Sequence, residues 1–272
     1  MCRFVAYVGP AITLEALLLA PEHSLLRQAW APRHQRHGTL NADGFGVGWY
    51  DLATRPEPAR YRSARPMWAD ASFASLAGLT ASEAVLGAVR SATPPLPVEE
   101  TGAPPFTAGP WLFVHNGAVD GFKDGVGTEL RRAVSNRREG RIEGASDAEV
   151  LFALVLDQLD AGARPDAALT AVMARVLALT TARLNLVVLD GKAVTATAYG
   201  ASLYVRGGAG SGPPGLVVAS EPFDDGPGWE AVPDGSLVEG TATSVTVSPL
   251  SLPMPSAPRG QAAPTTARAG GP

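Results

Sequence analysis

Apolar positions along the chain follow two rhythms. Runs dense in β-branched, aliphatic and aromatic residues, closed by glycine, proline or small polar residues, predict strands at Arg3–Val8, Phe45–Tyr50, Ala84–Arg90, Trp111–His115, Leu184–Leu189, Ala193–Tyr199, Ser202–Arg206, Leu216–Ser220 and Ser244–Ser248. Spacings of three and four predict helices at Thr13–Leu19, Asp147–Leu159 and Asp166–Leu179. In the second of these, Phe152, Val155, Leu156 and Leu159 share one face. Long loops containing proline and glycine lie between His23 and Gly44, Thr93 and Pro110, and Gly207 and Pro214, and long loops inside a compact domain are often functional. The last segment, Ser251–Pro272, holds five prolines, three glycines and almost no large apolar side chain, which predicts a disordered tail behind a domain spanning residues 2–250. Strand-rich ends around a helical middle predict an α+β fold with sheets between helices.

Composition narrows the function. Hydrophobic residues make up 46% and charged residues 18% of the 272, a globular balance. With 22 Lys and Arg against 26 Asp and Glu, the net charge is −4 and no basic stripe appears, so no nucleic-acid partner is expected. The arginines from Arg131 to Arg141 are interrupted and followed by acids, as on a solvated face. No membrane segment is expected, since no 18-residue apolar run exists and the first residues lack a signal-peptide pattern. A single cysteine forbids an internal disulfide and fits a reducing, cytoplasmic setting. His23, His34, His37 and His115 have no metal-ligand spacing, and no metal or cofactor is expected. The oligomeric state is not legible.

That one cysteine is Cys2. Its small side chain favours removal of Met1, which leaves a thiol and a free α-amine on one residue. Their reference pKa values are about 8.5 and about 7.7–8.0. The amine is then able to act as general base for the sulfur, as the amine of an N-terminal threonine does. A small buried hydrophobe is the alternative role. The segment Trp111–Gly117 reads as a strand that ends in a polar corner. Asn116 and Gly117 there offer a side-chain amide and a backbone N–H for an oxyanion, or a plain hairpin turn, and His115 beside them is a substrate-binding candidate. Arg90, in Ala-Val-Arg-Ser-Ala-Thr93, ends a predicted strand, where its planar fork suits a carboxylate. Ser146 and Glu149 have capping-box spacing, which leaves Asp147 to face outward, either towards the helix dipole or towards a substrate ammonium. The alternating glycines of Asn41–Trp49 match no phosphate loop and suggest backbone packed tightly beside a site. Nucleophile, oxyanion donors, cation and anion together describe cleavage of a small-molecule γ-glutamyl amide.

These residues resemble the N-terminal-nucleophile hydrolases, and among them the glutaminase domain of class II glutamine amidotransferases. The resemblance implies a four-layer αββα sandwich, two antiparallel sheets between helix layers. It implies Cys2 as nucleophile, Asn116 and Gly117 as oxyanion hole, Arg90 with Thr93 at the substrate carboxylate and Asp147 at its α-amine. The histidine often found beside the family's Thr-Arg or Ala-Thr is missing, because Ala88-Val89 and Pro94 stand there. The start Met1-Cys2-Arg3, the stretches Asn41–Gly48 and Ala88–Thr93, and Ala219–Asp225 with Gly228-Trp229 are similar to the γ-glutamyl amidohydrolases of ergothioneine biosynthesis, a likeness that reaches to about residue 250. That family hydrolyses γ-glutamyl-hercynylcysteine S-oxide. A glutaminase that passes ammonia to a separate partner and a non-catalytic binding protein are the alternatives. Trp49, Trp68, Trp111 and Trp229 are candidate cation–π partners for a trimethylammonium group, and Asp224 and Asp225 candidate negative charges beside it.

Overall fold

In the computed structural model, residues 2–35, 38–92, 97–207 and 215–252 are described. The chain opens with β1 (Arg3–Thr13), α1 (Leu14–Leu18) and α2 (Leu25–Gln28), followed by β2 (Phe45–Trp49), β3 (Ala59–Ser63), α3 (Ala71–Leu79) and β4 (Ala81–Val89). Next come β5 (Phe106–Ala108), β6 (Trp111–Val119), α4 (Val126–Arg132), α5 (Asn136–Glu139), α6 (Asp147–Asp160) and α7 (Pro165–Leu177). The remaining strands are β7 (Ala182–Leu189), β8 (Ala193–Ala198), β9 (Tyr204–Gly207), β10 (Leu216–Ala219), β11 (Glu230–Ala231), β12 (Ser236–Thr241) and β13 (Ser244–Pro249). They form a seven-stranded sheet in the order β11-β9-β10-β1-β4-β2-β3 and a six-stranded sheet in the order β13-β12-β8-β7-β6-β5. Neighbouring strands run antiparallel in both.

Side-chain alternation along the strands builds the layers. On β1, Phe4, Ala6 and Val8 face the other sheet together with Ala84, Leu86 and Ala88 of the neighbouring β4, and there they meet Leu112 and Val114 of β6. The intervening Val5 and Tyr7 face outward and are covered by Leu14, Leu17, Leu25 and Phe73 from α1, α2 and α3. Phe113 of β6 packs on α6 and α7 on the opposite outer side, its ring stacked on Phe152 at 5.0 Å. The result is helix, sheet, sheet, helix, the αββα sandwich.

All nine expected strands and three expected helices are present, with shifted ends. β6 differs in a way that matters, because it runs on through Val119 instead of turning after His115. Asn116 and Gly117 are therefore within a strand, opposite Asn185 and Leu184, so the expected corner is corrected to a paired ladder. β3, β5, β11 and β12 and helices α2 to α5 were not foreseen. β3 reads Ala-Arg-Tyr-Arg-Ser, with one apolar anchor, Tyr61, wedged against Phe45 and Phe73. Leu252 packs on the outer core, and the rest of the expected tail, from residue 253, lies outside the described residues. No helix among the described residues is long and apolar enough to cross a membrane.

Candidate active site

The alternation that builds the inter-sheet core continues past its end. Cys2 precedes Phe4 by two residues, Arg90 follows Ala88 by two, and Asn116 follows Val114 by two, so all three extend the row that faces between the sheets. The β1–β4 register pairs Arg3 with Val89, and the same register carries Cys2 to the level of Arg90. Three segments far apart in sequence thereby deliver a thiol, a guanidinium and an amide to one end of the sandwich.

A small cavity of about 50 Å³ opens there, lined by Cys2, Arg90, Phe106, His115, Gly117 and Asp147 among others. Asn116 is wholly buried, and neither its Nδ2 nor its Oδ1 has a hydrogen-bond partner among the described residues. An unpaired buried amide costs about 1–3 kcal/mol, so the fold carries an unused donor and acceptor next in sequence to two residues that line the cavity, His115 and Gly117. Gly117 contributes differently. Val119 donates its N–H to Asp147 Oδ2 at 3.1 Å while Asp120 donates to Thr181, so odd residues of β6 point their N–H groups away from β7. Gly117 shares that direction, and β5 reaches only as far as Phe113 on this edge. Its N–H is thus free of the β6–β7 ladder at a residue that lines the cavity. A Cβ at position 117 would lie 1.8 Å from the Arg183 carbonyl oxygen, so only glycine lets β6 and β7 approach this closely.

Asp147 is half-buried and lines the cavity, where its carboxylate is held by neighbours on the protein. Its Oδ1 accepts from the Ala148 N–H at 2.8 Å, its Oδ2 holds the Val119 N–H, and Oδ1 lies 3.7 Å from His115 Nδ1. Burial pushes its carboxyl up, but the His115 ring and the two N–H groups outweigh this and hold it below the ordinary aspartate value. His115 is fixed from its other side, with Nε2 3.0 Å from the Arg183 carbonyl, a contact in which Nε2 donates. It therefore lines the cavity and braces Asp147. Ser146 does cap α6 as its spacing predicts, accepting from the Glu149 N–H at 3.3 Å. Glu149 reaches back further than a capping box requires, to the N–H groups of Glu143 and Gly144.

Arg90 is buried rather than a surface side chain, and its Nη1 donates to the Pro97 carbonyl at 3.2 Å and more weakly to that of Asp43. Thr93 lies outside the described residues. The motif Asn41–Gly48 serves this neighbourhood. Asp43 Oδ2 accepts the Ala92 N–H at 2.8 Å, and its own N–H bonds the Arg90 carbonyl, which shapes the chain just after Arg90. Gly46 and Gly48 let β2 approach Pro104 and Leu112, where a Cβ would come within 2.5 Å of either residue.

Sequence reasoning missed the support beneath Cys2. Arg3 is fully buried, its Nε donates to the Cys2 carbonyl at 2.9 Å, and its Nη1 lies 3.6 Å from Glu221, also fully buried. Burial pushes the Arg3 guanidinium down, while Glu221 and then Cys2 oppose that shift. Glu221 also accepts the N–H groups of Arg33 and His34 at 3.0 and 2.8 Å. The signals available were the adjacency of Arg3 to Cys2 and the stretch Ala219–Asp225, which contains Glu221, and nothing local in the sequence couples two positions so far apart along the chain.

None of the four tryptophans lines the small cavity. Trp229 is already covered by Arg206, 4.5 Å from its ring, and donates to Asp224, which Arg206 also holds. Asp225 is engaged by Arg33 and His23. Among the described residues Glu22, His23 and Asp225 form the one group close enough to consider for a metal, but Arg33 already supplies the positive charge there.

No protein-family model matches the chain. It resembles a class II glutamine aminotransferase domain protein from Silicibacter pomeroyi, with a TM-score of 0.68 and 27% identity, over 92% of this chain and 100% of that one. It also resembles the glutamine phosphoribosylpyrophosphate amidotransferase of B. subtilis, with a TM-score of 0.62 over 93% of this chain and 50% of that one, a likeness of fold alone at 14% identity. The class is thus the N-terminal-nucleophile amidotransferase fold. The chain is 41% identical over 251 residues, 92% of its length, to the whole of the γ-glutamyl-hercynylcysteine sulfoxide hydrolase of Mycolicibacterium smegmatis. It is 40% identical over 253 residues to the corresponding protein of Mycobacterium tuberculosis, covering 97% of it. This chain belongs to the γ-glutamyl-hercynylcysteine sulfoxide hydrolase family.

Proposed function

We propose that the protein hydrolyses the γ-glutamyl amide of γ-glutamyl-hercynylcysteine S-oxide to glutamate and hercynylcysteine S-oxide, through a thioester on Cys2. The observation that carries this reading is the convergence of Cys2, Arg90, Asp147 and Gly117 on one cavity, with the unpartnered amide of Asn116 in the same row. After loss of Met1, the Cys2 amine takes the thiol proton and Sγ attacks the amide carbon. The oxygen becomes negative, and Asn116 Nδ2 and the Gly117 N–H bind it in a site prepared before reaction. Collapse breaks the C–N bond, and the amine leaves with the proton returned by the Cys2 amine. Water then attacks the thioester through a second oxyanion on the same donors, which frees glutamate and the thiol.

Arg90 takes the glutamyl carboxylate and Asp147 its ammonium. His115 keeps the Asp147 carboxylate ionised and aimed, so its substrate-binding role is indirect. The experiment is turnover of the purified, Met1-free protein on the S-oxide and on glutamine side by side. Efficient release of both products from the S-oxide supports the reading, and a preference for glutamine contradicts it.

A further inference from the structure

The cavity around Cys2 is too small for the whole substrate. Its 50 Å³ compares with roughly 300–1,000 Å³ for sites that enclose ligands of drug-like size. A second cavity of about 500 Å³ lies beside it. The two share Phe106 as a wall, and the segment from Thr101 to Phe106 and the first turn of α6 contribute residues to both.

The second cavity is marked by arginines. Strand alternation puts Arg60 and Arg62 of β3 on the face opposite Tyr61, and both line it with Arg138 and Arg141. Arg62 is paired with Glu143 at 3.0 Å, and Arg138 with Asp160. Glu149 is committed to the N–H groups before α6. Arg60 and Arg141 form no ion pair among the described residues, and the Arg60 guanidinium donates to the Pro105 carbonyl at a long 3.4 Å. Burial, and then the like charge of Arg62, push the Arg60 guanidinium down from its ordinary value, with Glu143 opposing. An anion between the two arginines relieves that repulsion.

The amine released from the S-oxide carries two carboxylates, one on its cysteinyl part and one on its trimethylated histidine. We propose that the 500 Å³ cavity is the subsite for this anionic leaving portion, with Arg60, Arg62 and Arg141 binding its carboxylates and Phe106 and Phe152 lining the path of its ring. This rests on the γ-glutamyl hydrolase reading above and adds to it the residues that select the substrate. Guanidinium groups suit the task because each offers a carboxylate two parallel donors.

The test measures kcat/KM on three amides, the S-oxide, γ-glutamylglutamate and γ-glutamylmethylamide, for wild type, Arg60→Met and Arg141→Ala. The first two amides have anionic leaving portions and the third an uncharged one. The ratio of anionic to uncharged substrate is expected to fall about tenfold or more in Arg60→Met, the effect of losing one charged hydrogen bond, and to appear mainly in KM. Arg141→Ala, in an exposed turn that tolerates substitution, is expected to lower the ratio in the same direction. Ratios unchanged in both variants overturn the subsite, whatever the absolute rates, because loss of folded protein affects all three amides equally. A wild type that cleaves γ-glutamylglutamate but not the S-oxide overturns the named substrate instead, and the arginine ratios then still decide the subsite.

Discussion

Asn116 places two polar atoms in the interior with nothing to bond among the described residues, and Cys2 stands at the end of the same row. Removing such a side chain costs the fold little, because no hydrogen bond is lost, whereas an oxyanion loses a donor. Asn116→Ala is expected to reduce kcat by about 10²–10³ while the melting temperature holds or rises. An effect on KM alone would make Asn116 a binding residue. Cys2→Ala is expected to fold normally and show no turnover, and retention of Met1 or a fixed N-terminal tag to abolish activity by blocking the amine. Cys2, Arg90 and Asp147 could be singled out in the sequence because the chemistry of each side chain is its signal, and the fold brings all three to one cavity. Asp43 and Glu221 were not legible as supports, since both act on backbone N–H groups that any residue supplies.

Elements set the aim of these groups. β6 continues where a turn was expected, and that continuation leaves the Gly117 N–H free of the β6–β7 ladder at a residue that lines the cavity. Asn-Gly is a common turn pair, so local sequence favoured the wrong geometry, and pairing with β7 overrode it. Gly117→Ala forces a Cβ against the Arg183 carbonyl and is expected to cost about 1–3 kcal/mol or more, read as a lower denaturant midpoint, along with lost activity. At the start of α6, the Asp147 carboxyl has its pKa lowered from 3.8 by folding. A lowered carboxyl stabilises the fold fully above its unfolded value, and that contribution fades as pH falls through the folded value. Asp147→Asn is therefore expected to be less stable than wild type at neutral pH, with the gap in melting temperature closing progressively below pH 3.8. A gap independent of pH would show that His115 and the N–H groups do not favour the charged form.

The whole molecule brings the site together through its two sheets. Where the main strands lie was readable from the apolar, β-branched runs, and the αββα order came from the family resemblance. Elements with weak patterning escaped, among them β3, an edge strand with one apolar anchor, and α3, rich in Ala, Ser and Gly. The buried pair Arg3–Glu221 joins the start of β1, the turn after β10 and the backbone at residues 33 and 34. Glu221→Ala leaves the Arg3 charge buried alone and is expected to cost about 3–5 kcal/mol in urea unfolding, far more than loss of an exposed pair. The central claim concerns a covalent bond at Cys2. Intact-mass analysis of the protein, quenched during turnover of the γ-glutamyl S-oxide, is expected to find Met1 absent and a γ-glutamyl group on Cys2, with hercynylcysteine S-oxide released alongside. Steady product release by Cys2→Ala protein, or an acyl group on any other residue, would contradict it.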